Sequence, residues 1–297
     1  MDRLDSMKTA LQVARAGSLS AAARQLHMPV ATVSRRVSDL EQHLGAQLFT
    51  RASRRLTPTA AGETYLATCQ RILDEIGEAE RLASGEYQAP VGSLTVTAPI
   101  AFGQIHVLPV ALDFLDAYPQ IDLRMVFTER ALNLMEDQVD VALRIGPLPD
   151  SQLHARPIGR TRRVVCASPA YLARRGEPET LEDLAGHDGI TLESIASLRG
   201  WTFALDRREV TAAVHHRLAV NTTQAAIAAA VRGVGLVRVL EYQVAEAITA
   251  GQLHVVLERF EPEPWPIHLV YAVQGPAPLK VRAFLDWAAP RLKARLG

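Results

Sequence analysis

The segment SLSAAARQLHMPVATVSRRVSDLE, Ser18 to Glu41, places two adjacent arginines, Arg35 and Arg36, in a run with no acid before Asp39. Its pattern resolves into helix, short turn and helix. Ser18 suits an N-cap, Ala21, Ala22 and Ala23 offer small side chains that let another helix approach closely, and Pro29 opens the following helix without removing a needed donor. In that following helix, at ~100° per residue, Val37, Leu40 and Leu44 fall within about 40° of Val33, which predicts a buried stripe. Ala31, Arg35, Ser38 and Gln42 fall on the opposite side, with Thr32, Ser34 and Arg36 on the flanks. Small residues, hydroxyls and arginine near a helix start fit the ~12 Å major groove of DNA, where Arg reaches guanine edges and Ser or Thr reach bases or phosphates.

The flanking sequence completes a module. Before it, Leu4, Met7, Leu11 and Ala14 recur at steps of three and four, a predicted apolar helix face that Gly17 terminates. After it, in GAQLFTRASRRLTPTAAG, Leu48, Phe49 and Leu56 are expected to close the core while Arg51, Arg54 and Arg55 project from a loop or short hairpin towards phosphates. Residues 1–60 hold nine Arg and Lys against four acids, although the whole chain of 297 residues has a formal charge of zero. A basic module on an acidic body points to a polyanionic partner for the module alone.

The stretch Gly17–Gly62 closely resembles the winged helix-turn-helix of LysR-type transcriptional regulators. The resemblance rests on the Ser-x-Ser-x-Ala-Ala start, Val-Ser-Arg in the second helix, Leu-Glu-x-x-Leu-Gly, Leu-Phe-x-Arg and the closing Thr-x-x-Gly. DVALRIGPLPDSQLHARPIG, VCASPAYLARRGEP and LEDLAGH look like effector-domain landmarks of the same family, so the likeness covers essentially the whole chain. It implies base contacts for Ala31, Ser34 and Arg35, and backbone contacts for Thr32, Arg36 and the wing arginines, with Ser18 at the DNA-facing helix start. Val30 and Ala31 replace polar or Pro residues that many members carry, so base specificity does not transfer. The implied partners are double-stranded promoter DNA, a small-molecule effector, a second copy in a homodimer or homotetramer, and RNA polymerase.

From Pro58 a long helix is expected to run to about Ser84. Tyr65, Cys69, Ile72, Ile76, Ala79 and Ala83 step by four and three, with Leu66, Leu73 and Leu82 beside them. That spacing suits a coiled-coil seam between two chains; an interior helix on its own domain would show similar spacing, but the neighbouring row of leucines leaves more apolar surface than one partner would cover, which favours pairing. SGEYQAPVG then breaks the helix and marks a hinge.

Beyond Val91 strand-like and helix-like segments alternate, which predicts α/β architecture with mainly parallel sheets. The expected organisation is a winged helix-turn-helix over residues 1–60, a linker helix over 61–89 and an effector domain over 90–297. The family resemblance implies a periplasmic-binding-protein arrangement for that domain, with lobes of roughly 90–160 plus 267–297 and 161–266. Ligands of such sheets sit beyond strand C-termini, near helix N-terminal amides. The candidates are therefore Thr97, Pro99, Ile100, Ala101 and Phe102, then Arg144 and Gly146, then Asn221 and Thr222, although caps and turns use the same residues. Many relatives place Ser or Thr where Pro99 and Ile100 stand, which argues for a less polar effector or another contact.

Composition excludes several classes. Hydrophobic residues make up 48% and charged residues 22%, the balance of a globular chain, and no uninterrupted apolar run approaches the ~20 residues of a membrane span. The start reads as a helix rather than a secretory signal, so a cytoplasmic location is expected. Cys69 and Cys166 are far apart, and His215 and His216 would point to opposite faces of a strand, so no disulfide, metal or cofactor is expected. The Gly-x-Gly at 233–235 follows a helix and reads as its end, and no GxSxG, HExxH or Walker sequence is present. A small-molecule-binding protein or enzyme on the same body is the competing reading; it would need an export signal or a catalytic constellation.

Overall fold

The computed structural model describes residues 2–52, 55–84, 89–192, 200–206, 208–272 and 277–296, without the side chains of 51, 52, 55, 75, 78 and 81–84. By its contacts the chain divides into one unit of residues 1–95, 115–124 and 274–283, and another of 96–114, 125–273 and 284–297.

The first unit begins with helices α1 (Arg3–Ala16), α2 (Leu19–Gln25) and α3 (Val30–Leu44). Asp2 and Ser18 cap the first two through their side chains, while Pro29 begins the third and Gly17 ends α1 in the left-handed region. Val33, Val37 and Leu40 are buried as the periodicity predicts, against Ala10, Val13, Ala22 and Ala23. The face of α1 differs from expectation. Met7, Ala10 and Val13 are buried together with Ser6 and Thr9, whereas Leu4 is 39% exposed and Leu11 and Ala14 are only partly covered. Ser6 and Thr9 return their hydroxyls to the carbonyls of Asp2 and Asp5, one turn back, so the helix itself satisfies the polar groups on its buried side.

A hairpin of β1 (Phe49–Ala52) and β2 (Arg55–Pro58) follows, with Arg51 opposite Leu56. Leu48 and Phe49 are buried and Leu56 packs on the same core. Helix α4 (Ala60–Ser84) starts where Thr59 Oγ1 accepts the Gly62 N–H at 2.9 Å and donates to the Gln47 carbonyl at 2.8 Å. Gly62 has to be glycine for want of space. A Cβ there would stand 2.0 Å from the Leu48 carbonyl oxygen. Leu66 and Cys69 are buried, and Leu66 belongs to the helix-turn-helix core, so this end of the seam is an interior face. Ile72, Leu73 and Ile76 are half-buried; the side chains of Leu82 and Ala83 lie outside the described residues.

The remaining elements build two five-stranded sheets. One contains β3 (Gly92–Ala98), β4 (Ile121–Phe127), β5 (Val141–Ile145), β6 (His154–Thr161) and β14 (Trp265–Tyr271), in the order β4-β3-β5-β14-β6. The other contains β7 (Arg163–Ala167), β8 (Asp188–Leu192), β11 (His215–Val220), β12 (Leu236–Leu240) and β13 (His254–Val256), in the order β11-β8-β12-β7-β13. The sheets are mixed rather than mainly parallel. β3 with β5 and β8 with β11 and β12 run parallel, but β14 is antiparallel to both its neighbours and β7 to both of its own. β14 and β7 arrive directly from the other sheet without a crossover helix, which removes the constraint that makes neighbouring strands parallel. A hairpin of β9 (Trp201–Leu205) and β10 (Arg208–Ala212) was not legible in the sequence; Trp201 and Phe203 bury its inner face.

Helices connect the strands. α5 (Ile100–Phe102) runs through a π-turn at Gly103–Val107 into α6 (Leu108–Ala117). This run, Ile100–Ala117, is apolar and long enough by composition to cross a membrane. Five of its residues, Phe102, Val107, Val110, Ala111 and Phe114, are nevertheless at most 3% exposed, as a core helix requires. α7 (Pro169–Arg175), α8 (Thr223–Val231) and α9 (Glu241–Thr249) follow, and α10 (Leu279–Leu296) closes the chain. Phe284 of α10 meets Phe114 edge to face with ring centres 5.2 Å apart, and Trp287 donates to the Val110 carbonyl at 3.2 Å.

Candidate functional site

The first site is the outer face of α3. Ala31, Arg35 and Ser38 are exposed, and Thr32 and Ser34 are half-exposed beside them. A groove lined by Leu19, Ser34, Ser38, Glu41, Gln47 and Thr50 continues from this face to the hairpin. Helix and wing therefore present one continuous surface. The backbone places Arg51 and Arg55 on the two hairpin strands; their side chains, and all of Arg54, lie outside the described residues.

Two of the expected contact residues have other partners. Arg36 turns inward, its Nη2 donating to Asp5 Oδ2 at 3.0 Å and its Nη1 reaching Thr9 and Met28. It fastens α3 to α1, which leaves Arg35 as the outward-facing member of the pair. Ser18 holds the Ala21 N–H at 3.1 Å and so fixes the start of α2. Glu41, not singled out from the sequence, accepts the N–H groups of Leu48 and Phe49 at 2.7 and 3.1 Å and anchors the entry to the wing. The Leu-Glu-x-x-Leu-Gly motif carried that signal.

The second site lies where Phe102 meets Tyr242 of α9 edge to face, ring centres 5.1 Å apart. His106 joins both rings at 4.6 and 5.7 Å. Both nitrogens of His106 are buried without a hydrogen-bond partner, and burial, aided by the Arg295 charge, holds its pKa below the ordinary imidazole value. Burial and the nearby Glu129 carboxylate raise the Tyr242 phenol, so it stays neutral. The Ile100 N–H, expected to be open to a ligand, donates to Glu129 Oε1 at 3.1 Å. An internal carboxylate therefore occupies the helix start.

The other expected ligand positions are dispersed. Ala101 is buried and Pro99 begins α5. Thr97 is fully buried and donates to the Val126 carbonyl at 2.7 Å, joining β3 to β4. Arg144 donates to the Leu132 carbonyl at 2.7 Å, and burial lowers its pKa. Gly146 has φ +107° and faces the Trp265 ring at 3.5 Å from where a Cβ would stand. Thr222 caps α8 through Ala225, and Asn221 is exposed before it. His215 and His216 take separate partners, Asp188 and Thr191, and no group of metal-ligating side chains exists among the described residues.

A helix-turn-helix that presents Arg35 outward beside a hairpin wing, followed in the chain by an α/β body of two five-stranded sheets, has the make-up of a DNA-binding regulator with a ligand-binding domain. Comparison with known proteins agrees. Residues 4–63 match the bacterial regulatory helix-turn-helix protein model of the lysR family, and residues 88–293 match the LysR substrate binding domain. The transcriptional regulator CrgA of Neisseria meningitidis is 35% identical over 95% of this chain and 94% of its own. The regulator YhjC of Escherichia coli is 30% identical over the full length of both. The CrgA structure covers 97% of this chain and 98% of its own at 34% identity with a TM-score of 0.62. The Vibrio cholerae virulence activator AphB covers 96% and 98% at 28% identity with a TM-score of 0.59. The chain belongs to the LysR-type transcriptional regulators, with a helix-turn-helix that binds DNA and an effector-binding substrate domain.

Proposed function

We propose that the chain is a cytoplasmic regulator that reads operator DNA through Ala31, Ser34 and Arg35 while Thr32 and the wing arginines hold phosphates. The observation that carries this is the division of labour between adjacent arginines: Arg36 is committed to Asp5, and Arg35 faces outward beside small residues and hydroxyls. Effector binding between the lobes, around Phe102, His106 and Tyr242, would shift lobe closure and so change the bend imposed on promoter DNA. The aromatic walls and the internally capped Ile100 amide suit an effector with an apolar ring. The half-buried Ile72, Leu73 and Ile76 support pairing of two copies along α4, which would set two α3 helices on half-sites about one turn or a multiple, ~34 Å, apart. A dimer of dimers and contact with RNA polymerase extend this reading. No catalytic role is proposed.

The test is binding of the full chain to promoter DNA beside its own gene as salt is raised. Affinity is expected to fall steeply as counterions are released. Affinity that is flat with salt would remove the regulator reading.

A further inference from the structure

Arg162 and Arg163 are consecutive at the start of β7, yet their surroundings are opposite. Arg162 meets three glutamates: Glu261 at 2.8 Å, Glu258 at 3.0 Å and Glu241 at 3.7 Å. Arg163 has none within ion-pair distance among the described residues; its guanidinium lies over the Trp265 ring, 4.2 Å from the centroid. Arg238 of β12 shares this condition. Val165 pairs with Arg238 and Arg163 with Leu240, so the two arginines are diagonal neighbours on one face of the sheet. That face is covered by the β9–β10 hairpin, where Arg238 donates to the Thr202 carbonyl and sits 5.5 Å from the Phe203 ring centre. Each arginine keeps a buried Nε without a hydrogen-bond partner.

Two half-buried cations side by side without a counter-ion among the described residues are an unfavourable arrangement, and burial followed by the Arg163 charge lowers the Arg238 pKa to about 10. Burial lowers Arg163 as well, against the influence of Glu209. Glu209 is exposed on β10 and makes no ion pair with either. The guanidinium forks are suited to an oxyanion, and Trp265 and Phe203 supply apolar flanks.

We infer that Arg163 and Arg238 form an oxyanion subsite of the effector domain, one that takes the carboxylate of a small organic acid with an aromatic or apolar body. This deepens the effector-sensing reading and rests on it. It also moves the acid-binding role away from the Ile100 helix start, where Glu129 already stands.

The test is calorimetric titration of the full chain with benzoate and with its neutral analogue benzamide. Benzoate is expected to bind and benzamide not. Arg163→Gln, which removes no hydrogen bond to the described residues, should weaken benzoate by about tenfold or more, as a charge-assisted pair requires. Arg163→Lys should recover part of the loss, Glu209→Gln should tighten binding, and Arg217→Gln, on the exposed Asp188 pair, should leave it unchanged. Equal benzoate affinity in Arg163→Gln and wild type, or equal affinity for benzamide, would overturn the subsite. So would absence of benzoate binding in a chain that still binds its promoter. Loss of promoter binding by the wild-type chain would instead count against the regulator reading.

Discussion

Arg36 Nη2 lies 3.0 Å from Asp5 Oδ2, and the contact joins α3 to α1 through two residues 31 positions apart in the chain. It helps hold the rotation of α3 about its axis, alongside the buried Val33, Val37 and Leu40 stripe. With Arg36 drawn to α1, Ala31 and Arg35 face outward and the Val33, Val37 and Leu40 stripe stays inside. Asp5→Ala should destabilise the helix-turn-helix by only about 1 kcal/mol or less, because the side chains are 26% and 45% exposed. The effect on operator affinity should be larger than stability alone explains, since a freed Arg36 permits α3 to reorient. Urea unfolding and DNA titration on the same variant check this; a parallel loss in both would mean that the pair is merely structural.

Arg35→Ala should cost about 1–3 kcal/mol of operator affinity and relax the preference at one base pair, while leaving thermal stability unchanged. Selection of binding sites from a random library reads the preference directly. A variant with undiminished preference would exclude Arg35 from base contact.

Much of this surface was legible in the sequence because α3 carries its own periodicity. Val33, Val37 and Leu40 repeat on one face, and no tertiary information is needed to see which side is left for DNA. The inward turn of Arg36 was not legible, because its partner Asp5 belongs to another helix and neither residue marks the pairing locally. The buried face of α1 departs from its apolar spacing for a related reason: Ser6 and Thr9 are polar, but their hydroxyls are satisfied within the helix. In the second half β3, β4, β5, β7, β12 and β14 were readable as apolar runs, whereas β6, β8, β11, β13 and the β9–β10 hairpin were not, and the strand directions were set by the direct passages into β7 and β14, a topological property. Glu129 and Tyr242 reach the Phe102 region only through folding, so the aromatic site could not be assembled from spacing.

Glu41→Ala should unsettle the wing. The carboxylate accepts two backbone N–H groups, Leu48 at 2.7 Å and Phe49 at 3.1 Å, and both residues are buried. Losing that acceptor leaves donors without a protein partner, at a cost of about 1–3 kcal/mol. Hydrogen exchange at Leu48 and Phe49 should accelerate in the variant. Unchanged protection would show that the wing is held by its hairpin alone.

The half-buried imidazole of His106, whose two nitrogens are covered, makes stability depend on acidity with a defined sign. Its pKa in the folded chain lies below the ordinary 6.5, first through burial and then through the Arg295 charge. His187 is lowered likewise, by burial and then by Arg175. As pH falls through 6.5 the unfolded chain therefore takes up protons before the folded chain does, and stability drops from there down towards the folded-state pKa. Above 6.5 both states hold a neutral ring and the contribution is constant. His106→Phe keeps an aromatic ring between Phe102 and Tyr242 but removes the titration, so its stability should fall less than that of wild type between about pH 7.5 and pH 5.5. Urea unfolding at the two pH values measures the difference, and an identical decline in both proteins would mean that His106 is protonated as readily in the folded chain as in the unfolded one.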